Sequence, residues 1–571
     1  METASSFYNR LNYPKAWLEE GEKYNKNDSY VIYDPSWHDP IPNIPEISLY
    51  ELFKRSVDQY PDQVALLFLD NEITYAEFSR LIDQFASLLI DMGVKKGDII
   101  SPMLPPCPQH WIAFFAAAKI GAISAPLNVM YREQEISYQI NDCAAKTVIL
   151  DVLYPYFKKL KDQLGIKNII VTHSRFCLTP VQGVRRVADI LGSSKDKNRR
   201  YGRLSGRHTK SQPAQVNATF NPKQDVMKII YTSGTTGNSK GAMETHHNLV
   251  HNTITHAQIL PPKPINFTFL PMNHTGGYMA FQLPTFHRGG TVIPRPMFDV
   301  EDAFEAIQAH KVNTLFGPPT FYTALLSHPK FSQYDLSSLT RVSSGAAPVS
   351  DALMTAWKEK TGTTLSAGWG GTETNTMGTW SRLKNKEKLL SDGVPFIGEI
   401  KIVDEKGEVV PRGKAGELLF RGLQVSKGYF NKPEETKAAF QQDGWFRSGD
   451  AGYIDNDDFL HYVDRIKDLI IASGYNIAPA EVEATVLQQL SVKEVAVVGW
   501  PDDYRGETVK AFVVIADEYK GKVREQEIID FCRTKIAPFK VPTIVEFIDA
   551  LPRNMMGKAL RRVLRDRARQ N

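Results

Sequence analysis

The sequence predicts an α/β fold with more than one domain, and three observations carry that prediction. Short β-branched runs alternate with longer stretches of helical apolar spacing, the sign of helices layered on a parallel sheet. The chain has 571 residues, more than one hydrophobic core serves. After Asp464 the pattern changes to a compact α+β unit with apolar runs of its own.

The elements follow in order. Leu49 to Gly93 reads as helix, strand, helix: ELFKRSVDQY, VALLFL, then TYAEFSRLIDQFASLLIDM. Asp98 to Leu104 and Gly121 to Pro126 read as strands around another helix. The alternation continues through KTVILD, KNIIVTH, KIIYTS, GTVIPR and VNTLFGPP, the last followed by a helix. Between Gly398 and Gly428 short strand-like runs are split by turn residues such as DEKGE, which predicts a small β-barrel-like subdomain. Beyond it come KDLII, the helix EVEATVLQQL, the strands EVAVVGW and KAFVVI, and the helix EQEIIDFCRTK. The boundary is set at Lys467, giving domains 1–466 and 467–571.

Composition excludes several classes. Lys plus Arg is 68 and Asp plus Glu is 64, a formal charge of +4, too balanced for a general nucleic-acid coat. The four cysteines, Cys107, Cys143, Cys177 and Cys532, show no zinc or CxxC spacing and read as reduced core thiols of a cytoplasmic protein. The N-terminus has no apolar h-region, and the C-terminal Arg-Gln-Asn is not a peroxisomal address. Trp111 to Met130 is apolar but broken by Lys119, Gly121 and Pro126, so it reads as a buried helix followed by a strand. Lys195 to Lys210 is basic and polar. It reads as an exposed loop, with attraction to CoA phosphates, an acidic surface or a membrane as the functional alternative. At most peripheral membrane contact is expected.

The most informative stretch is YTSGTTGNSKG, Tyr231 to Gly241. Thr232, Ser233, Thr235 and Thr236 surround Gly234 and Gly237, and Lys240 precedes Gly241. Glycines let backbone N–H groups approach a polyphosphate, hydroxyls donate hydrogen bonds, and the lysine supplies a point charge. It is not a Walker A loop, which needs Gly-Lys-Ser/Thr in sequence. Composition alone is equally met by a flexible turn. No HExxH motif supports a metal-dependent hydrolase, and the GxSxG pattern GNSKG, Gly237 to Gly241, falls inside this Gly/Ser/Thr loop and reads as part of it, not as a nucleophile elbow.

The order of residues in that loop resembles the phosphate loop of the adenylate-forming superfamily, which includes acyl-CoA synthetases. Five further segments resemble that family in its order: SSGAAP (Ser343 to Pro348), GWGGTE (Gly368 to Glu373), GWFRSGD (Gly444 to Asp450), DRIKDLIIASGYNIAPAEVE (Asp464 to Glu483) and PRNMMGKALRR (Pro552 to Arg562). The segments run from Tyr231 to Arg562, and the resemblance covers roughly residues 50 to 565. The resemblance implies two layered α/β subdomains plus the β-barrel-like one, and a mobile C-terminal domain.

It also implies roles. Thr232 to Gly237 with Lys240 would hold the β- and γ-phosphates of ATP. Glu373, joined by Thr232, would bind Mg2+, and Thr372 would contact the α-phosphate. Gly345, Ala346, Ala347, Pro348, Gly368 and Gly370 would border the adenine. Trp369, where many relatives carry tyrosine, would stack on it. Asp450 would accept from the ribose hydroxyls, and Arg465 would reach the ribose or α-phosphate. Lys558 would bridge acyl carboxylate and α-phosphate as the catalytic lysine. Lys467 occupies the hinge position, and Gly474 would line the tunnel for coenzyme A. Taken singly, Glu373 is equally a surface carboxylate, Trp369 a core residue, Asp450 a turn aspartate, Gly474 a turn glycine and Lys558 a tail lysine.

The acid pocket is expected at His274, Gly276, Gly277, Tyr278, Phe316, Ser344 and Gly370. His274 has two open readings, a capping or packed histidine and a pH-sensitive gate. Acetate-activating relatives carry a second bulky aromatic where this chain has Gly370. The implied substrate is therefore an apolar acid larger than propionate, a medium or long fatty acid or a cyclic carboxylate. The expected activity is acid:CoA ligation with ATP, Mg2+ and coenzyme A. Alternatives are an adenylating enzyme with another acceptor, such as a carrier protein, and an inactive nucleotide-binding protein. A homodimer is left open.

Overall fold

Two mostly parallel sheets carry the N-terminal part of the chain in the computed structural model, which describes residues 13–32, 34–37, 42–69, 71–151, 157, 159–172, 219–232, 239–376, 378–473, 475–502, 504–553 and 559–567. The seven-stranded sheet runs Leu365–Ser366, Arg341–Ser344, Thr314–Gly317, Ile265–Thr268, Thr291–Pro294, Val64–Phe68, Asn71–Thr74. Its pairings are parallel up to the closing hairpin. The six-stranded sheet runs Asn168–Val171, Thr147–Leu150, Ile99–Met103, Ile123–Ser124, Val226–Thr232, Lys240–Thr245, and only its last pair is antiparallel. The chain thus starts one sheet at Val64, leaves to build the other, and returns at Ile265.

Helices fill the space between. Helix Tyr75–Asp91 begins where the Thr74 side chain accepts from the Glu77 N–H, and it buries Phe78, Ile82, Phe85 and Leu89. Helix Pro108–Ile120 buries every residue except Lys119 and stops at Gly121, whose φ of 74° suits glycine. A single cluster joins Phe78 and Phe115 to Leu283 and Phe286, so one core binds both sheets.

Two buried groups of opposite charge lie in that core. Lys228 and Glu244 face each other across the hairpin and are both fully buried. Tyr278 Oη donates to Glu244 at 2.5 Å, and Lys228 Nζ donates to the Met272 carbonyl at 3.0 Å. Burial pushes the Glu244 carboxyl up and the Lys228 ammonium down, each opposed by the other's charge. Glu244→Ala would strand the ammonium. A loss of about 3–5 kcal/mol is expected from a chemical-denaturation midpoint, and an unchanged midpoint would refute this account.

The region expected to be barrel-like is a five-stranded antiparallel sheet in the order Tyr30–Ile32, Glu399–Val403, Gly416–Arg421, Phe446–Ile454, Leu460–Arg465. Its first strand comes from near the N-terminus. Arg421, 1% exposed, fastens that segment through Glu20 (2.7 Å) and pairs with Glu399 beneath it (Nε to Oε2, 2.8 Å).

The last sheet runs Tyr475–Ile477, Ile470–Ala472, Gly506–Ile515, Val492–Asp502, with Ile544–Phe547 parallel to Gly506–Ile515. Helices Pro479–Val486 and Glu525–Arg533 cover it over a separate core. Asp464, at the end of the preceding sheet, accepts from the Ala480 N–H (3.1 Å) and Arg561 Nη1 (3.0 Å). Arg561 also grips Glu483 at 2.8 Å, so the terminal helix Arg561–Asp566 bonds to residues on both sides of Lys467. Cys107, Cys143 and Cys532 are buried and free. Cys177 and the basic loop 195–210 lie outside the described residues. Among the described residues no helix is long and apolar enough to cross a membrane.

Candidate active site

The carboxyl ends of parallel strands open onto a crevice, as doubly wound sheets dictate. Thr314–Gly317 carries Phe316 next to its end, Arg341–Ser344 runs into Gly345, and Leu365–Ser366 leads to Gly368. Val226–Thr232 brings Thr232 from the other sheet, while Phe446–Ile454 and Leu460–Arg465 bring Asp450 and Arg465. All of these border one cavity of about 830 Å³.

Of the residues expected from sequence, Thr232, Lys240, His274, Gly276, Phe316, Ser344, Gly345, Ala346, Gly368, Trp369, Gly370, Thr372, Glu373, Asp450, Arg465 and Lys467 line that cavity. Ser233, Gly234, Thr235, Thr236, Gly237, Gly474 and Lys558 lie outside the described residues. Ala559, next to Lys558 in sequence, is on the cavity wall together with Arg561 and Arg562.

Four expectations need correction. Tyr278 does not border the cavity; it is fully buried, with its hydroxyl committed to Glu244. Gly277 does not widen the pocket either, because a Cβ there would meet the Pro271 carbonyl oxygen at 2.1 Å. That glycine is required by a close backbone crossing. Ala347 and Pro348 follow the lining residue Ala346 without lining the cavity themselves. Ala346 turns the chain there with φ at 67°, a left-handed conformation that a non-glycine residue adopts at a cost.

At the phosphate side, Thr232 and Lys240 are register partners, so the loop expected to cradle phosphate joins two paired strands. Lys240 Nζ lies 4.9 Å from the ring centroid of Tyr429. The Tyr429 hydroxyl donates to Glu373 Oε1 at 2.7 Å. The described residues contain no group of three or more His, Cys, Asp or Glu able to hold a metal. Glu373 with the Thr232 hydroxyl is instead a hard-oxygen donor set of the kind that fits magnesium shared with phosphates.

At the nucleoside side, Trp369 Nε1 donates to Asp450 Oδ2 at 2.8 Å, and Arg465 Nε sits 3.2 Å from Asp450 Oδ1. Burial opposes the Arg465 charge most strongly of any single cause, but Asp450, Tyr462, Glu373 and Asp468 together hold the guanidinium above its ordinary value. The Trp369–Asp450 bond, across 81 residues of chain, had no sequence signal. At the acid side, His274 Nδ1 accepts from the Gly276 N–H at 3.2 Å and caps the turn Thr275–Gly277. Capping needs that nitrogen unprotonated, while the ring stands on the cavity wall. Phe316 comes within 3.3 Å of a Cβ placed on Gly276 and within 3.2 Å of one on Gly345, so both glycines make room for its ring.

Tyr429, Trp380 and Phe446 also line the cavity and escaped the sequence reading. Tyr429 stands shortly after the strand-like runs and carries no motif of its own.

Comparison with known proteins bears on the same residues. The family model described as AMP-binding enzyme matches residues 53–430, and the model for the AMP-binding enzyme C-terminal domain matches 481–558. A long-chain-fatty-acid–CoA ligase of Bacillus subtilis (strain 168) is 34% identical over 547 residues, 93% of this chain and 96% of the relative. A feruloyl-CoA synthase of Amycolatopsis sp is also 34% identical, over 514 residues, 89% of this chain and 96% of its own. The solved structure of ATP-bound MatB from Rhodopseudomonas palustris superposes with a TM-score of 0.79 at 30% identity, covering 91% of this chain and 99% of that one.

Proposed function

The chain belongs to the AMP-binding enzymes, and on that premise we propose that it is an AMP-forming acyl-CoA synthetase whose acid is a medium- or long-chain fatty acid or a cyclic carboxylate. The carboxylate oxygen attacks the α-phosphorus of ATP, the bond to the β-phosphate oxygen breaks, and pyrophosphate leaves with the electron pair. The sulfur of coenzyme A then attacks the acyl carbon, AMP departs, and the thiol proton passes to solvent. One observation carries this reading: Thr232, Lys240, Glu373, Asp450 and the terminal segment at Ala559–Arg562, far apart in sequence, border one cavity.

The roles follow from that layout. Lys240 and the loop 233–237 offset the charge of the β- and γ-phosphates. Glu373 and Thr232 would hold magnesium, which would supply further positive charge against the triphosphate. Thr372 meets the α-phosphate. Asp450 holds the ribose with Arg465, Trp369 faces the adenine, and Lys558 reaches the reacting carboxylate from the terminal segment. Residues 467–571 form the domain that turns at Lys467 to admit coenzyme A past Gly474. Buried free thiols at Cys107, Cys143 and Cys532 and the demand for ATP and coenzyme A support a cytoplasmic location.

The acid reading is supported by Gly276, Phe316 and Gly370, small or apolar residues that line the cavity with His274 and carry no charge to pair with an ammonium group. Relatives of equal identity named for a long-chain fatty acid and for ferulate are consistent with both acid classes. The test is a panel of acids incubated with ATP, magnesium and coenzyme A and scored for AMP and thioester. Thioester from apolar acids larger than propionate is expected. AMP without thioester would point to another acceptor, and neither product would refute the proposal. Gly370→Trp should move kcat/KM towards short acids by about tenfold or more. An unchanged preference would contradict this pocket.

A further inference from the structure

Two groups of the proposed ATP site converge on one side chain that no motif assigned. Tyr429 is 7% exposed and lines the cavity. Its hydroxyl donates to Glu373 Oε1 at 2.7 Å, and its ring carries the Lys240 ammonium 4.9 Å from the centroid. Tyr429 is itself held. Its N–H donates to Thr436 Oγ1 at 2.9 Å, and its ring meets Phe440 edge-on with centroids 5.3 Å apart. Hydrogen bonds from Lys427 and Phe430 N–H to Met243 and Gly241 carbonyls tie its segment to the strand that begins at Lys240. The same segment holds Glu373 by its main chain, through the Ser426 N–H at 2.8 Å.

We propose that Tyr429 is a positioning residue that presets the Glu373 carboxylate and the Lys240 ammonium for a magnesium–triphosphate. This rests on the ligase reading above. The physical case is one of rotamer freedom. An unbound glutamate and lysine sample many rotamers, and binding must remove that freedom. A phenol donating to one carboxylate oxygen leaves the other for a cation. A ring face attracts an ammonium without neutralising it, so the charge stays available to phosphate.

The experiment is calorimetric titration of the full-length protein with ATP, once with magnesium and once with EDTA, for the parent, Tyr429→Phe, Tyr429→Leu, Glu373→Gln and the double variant Glu373→Gln/Tyr429→Phe. Tyr429→Phe keeps the ring and removes only the hydroxyl. It should weaken binding with magnesium by about tenfold, the scale of a hydrogen bond to a charged group, and leave binding in EDTA within about twofold. Tyr429→Leu should weaken both, because the ammonium also loses its platform. In the Glu373→Gln background the Phe substitution should add little, since the charged acceptor is already gone. Magnesium-dependent binding unchanged in Tyr429→Phe would overturn the proposal. So would an equal loss with and without magnesium, or a full additional loss in the double variant, as a general structural role predicts. Absence of ATP binding by the parent would overturn the ligase reading as well, and the two failures are told apart by the parent alone.

Discussion

Lys558→Ala is expected to lower the rate of acyl-adenylate formation by about 10²–10³-fold, the scale for loss of one donor aimed at developing charge. Adenylation brings a carboxylate onto the α-phosphate, and the two anions repel until a cation spans them. In the proposed mechanism Lys558 is that cation, and its sequence neighbours Ala559, Arg561 and Arg562 border the cavity that Thr232 and Glu373 share. Arg561 is anchored by Asp464 and Glu483, which fixes the approach of the segment. The assay is pyrophosphate release with acid and ATP, set beside thioester formation from supplied acyl-adenylate. The second reaction should be spared. An equal loss in both would assign Lys558 a structural role instead.

Lys467→Pro should leave adenylation within about threefold of the parent and abolish thioester formation. Lys467 occupies the middle of the short turn Ile466–Asp468, between the last strand of the large part and the small C-terminal sheet. Proline fixes φ near −65°, which a helical turn accepts and a swinging hinge does not. Two bonds lie at that turn: Arg565 Nη1 donates to the Lys467 carbonyl at 3.2 Å, and Arg561 Nη1 donates to Asp464. A rotation about Lys467 must break the Asp464 bond while Arg561 can keep Glu483 within its own domain. Single-turnover measurement of each half-reaction separates the effects. Thioester formation at the parent's rate would show that the two halves share one domain arrangement.

Much of this molecule was legible before any coordinates. Helix Pro108–Ile120 was readable because its apolar run is longer than a strand and is broken only at Lys119 and Gly121. Strands such as Thr147–Leu150 and Asn168–Val171 were readable from β-branched runs between turns. The assignment of Val64–Phe68 to the same sheet as Leu365 was not, because periodicity reports which face is buried and not which strand lies alongside. The N-terminal strand Tyr30–Ile32 was missed for a related reason. It has three residues, and the long-range pairs of Arg421 hold its segment more than any pattern of its own.

The amino-acid order by itself determined the family, the alternation of helices and strands, and the motif residues from which the chemistry is proposed, because backbone turns and charge type are local properties. Only the tertiary structure decided which of those residues share a cavity: it withdrew Gly277 and Tyr278 into packing, tied Trp369 to Asp450, and put Tyr429 between Lys240 and Glu373. The reason is physical. Apart from the crossing of Gly277 with Pro271, these contacts join residues far apart along the chain, and their geometry is set by strand order and by the closure of the core, which no short window of sequence contains.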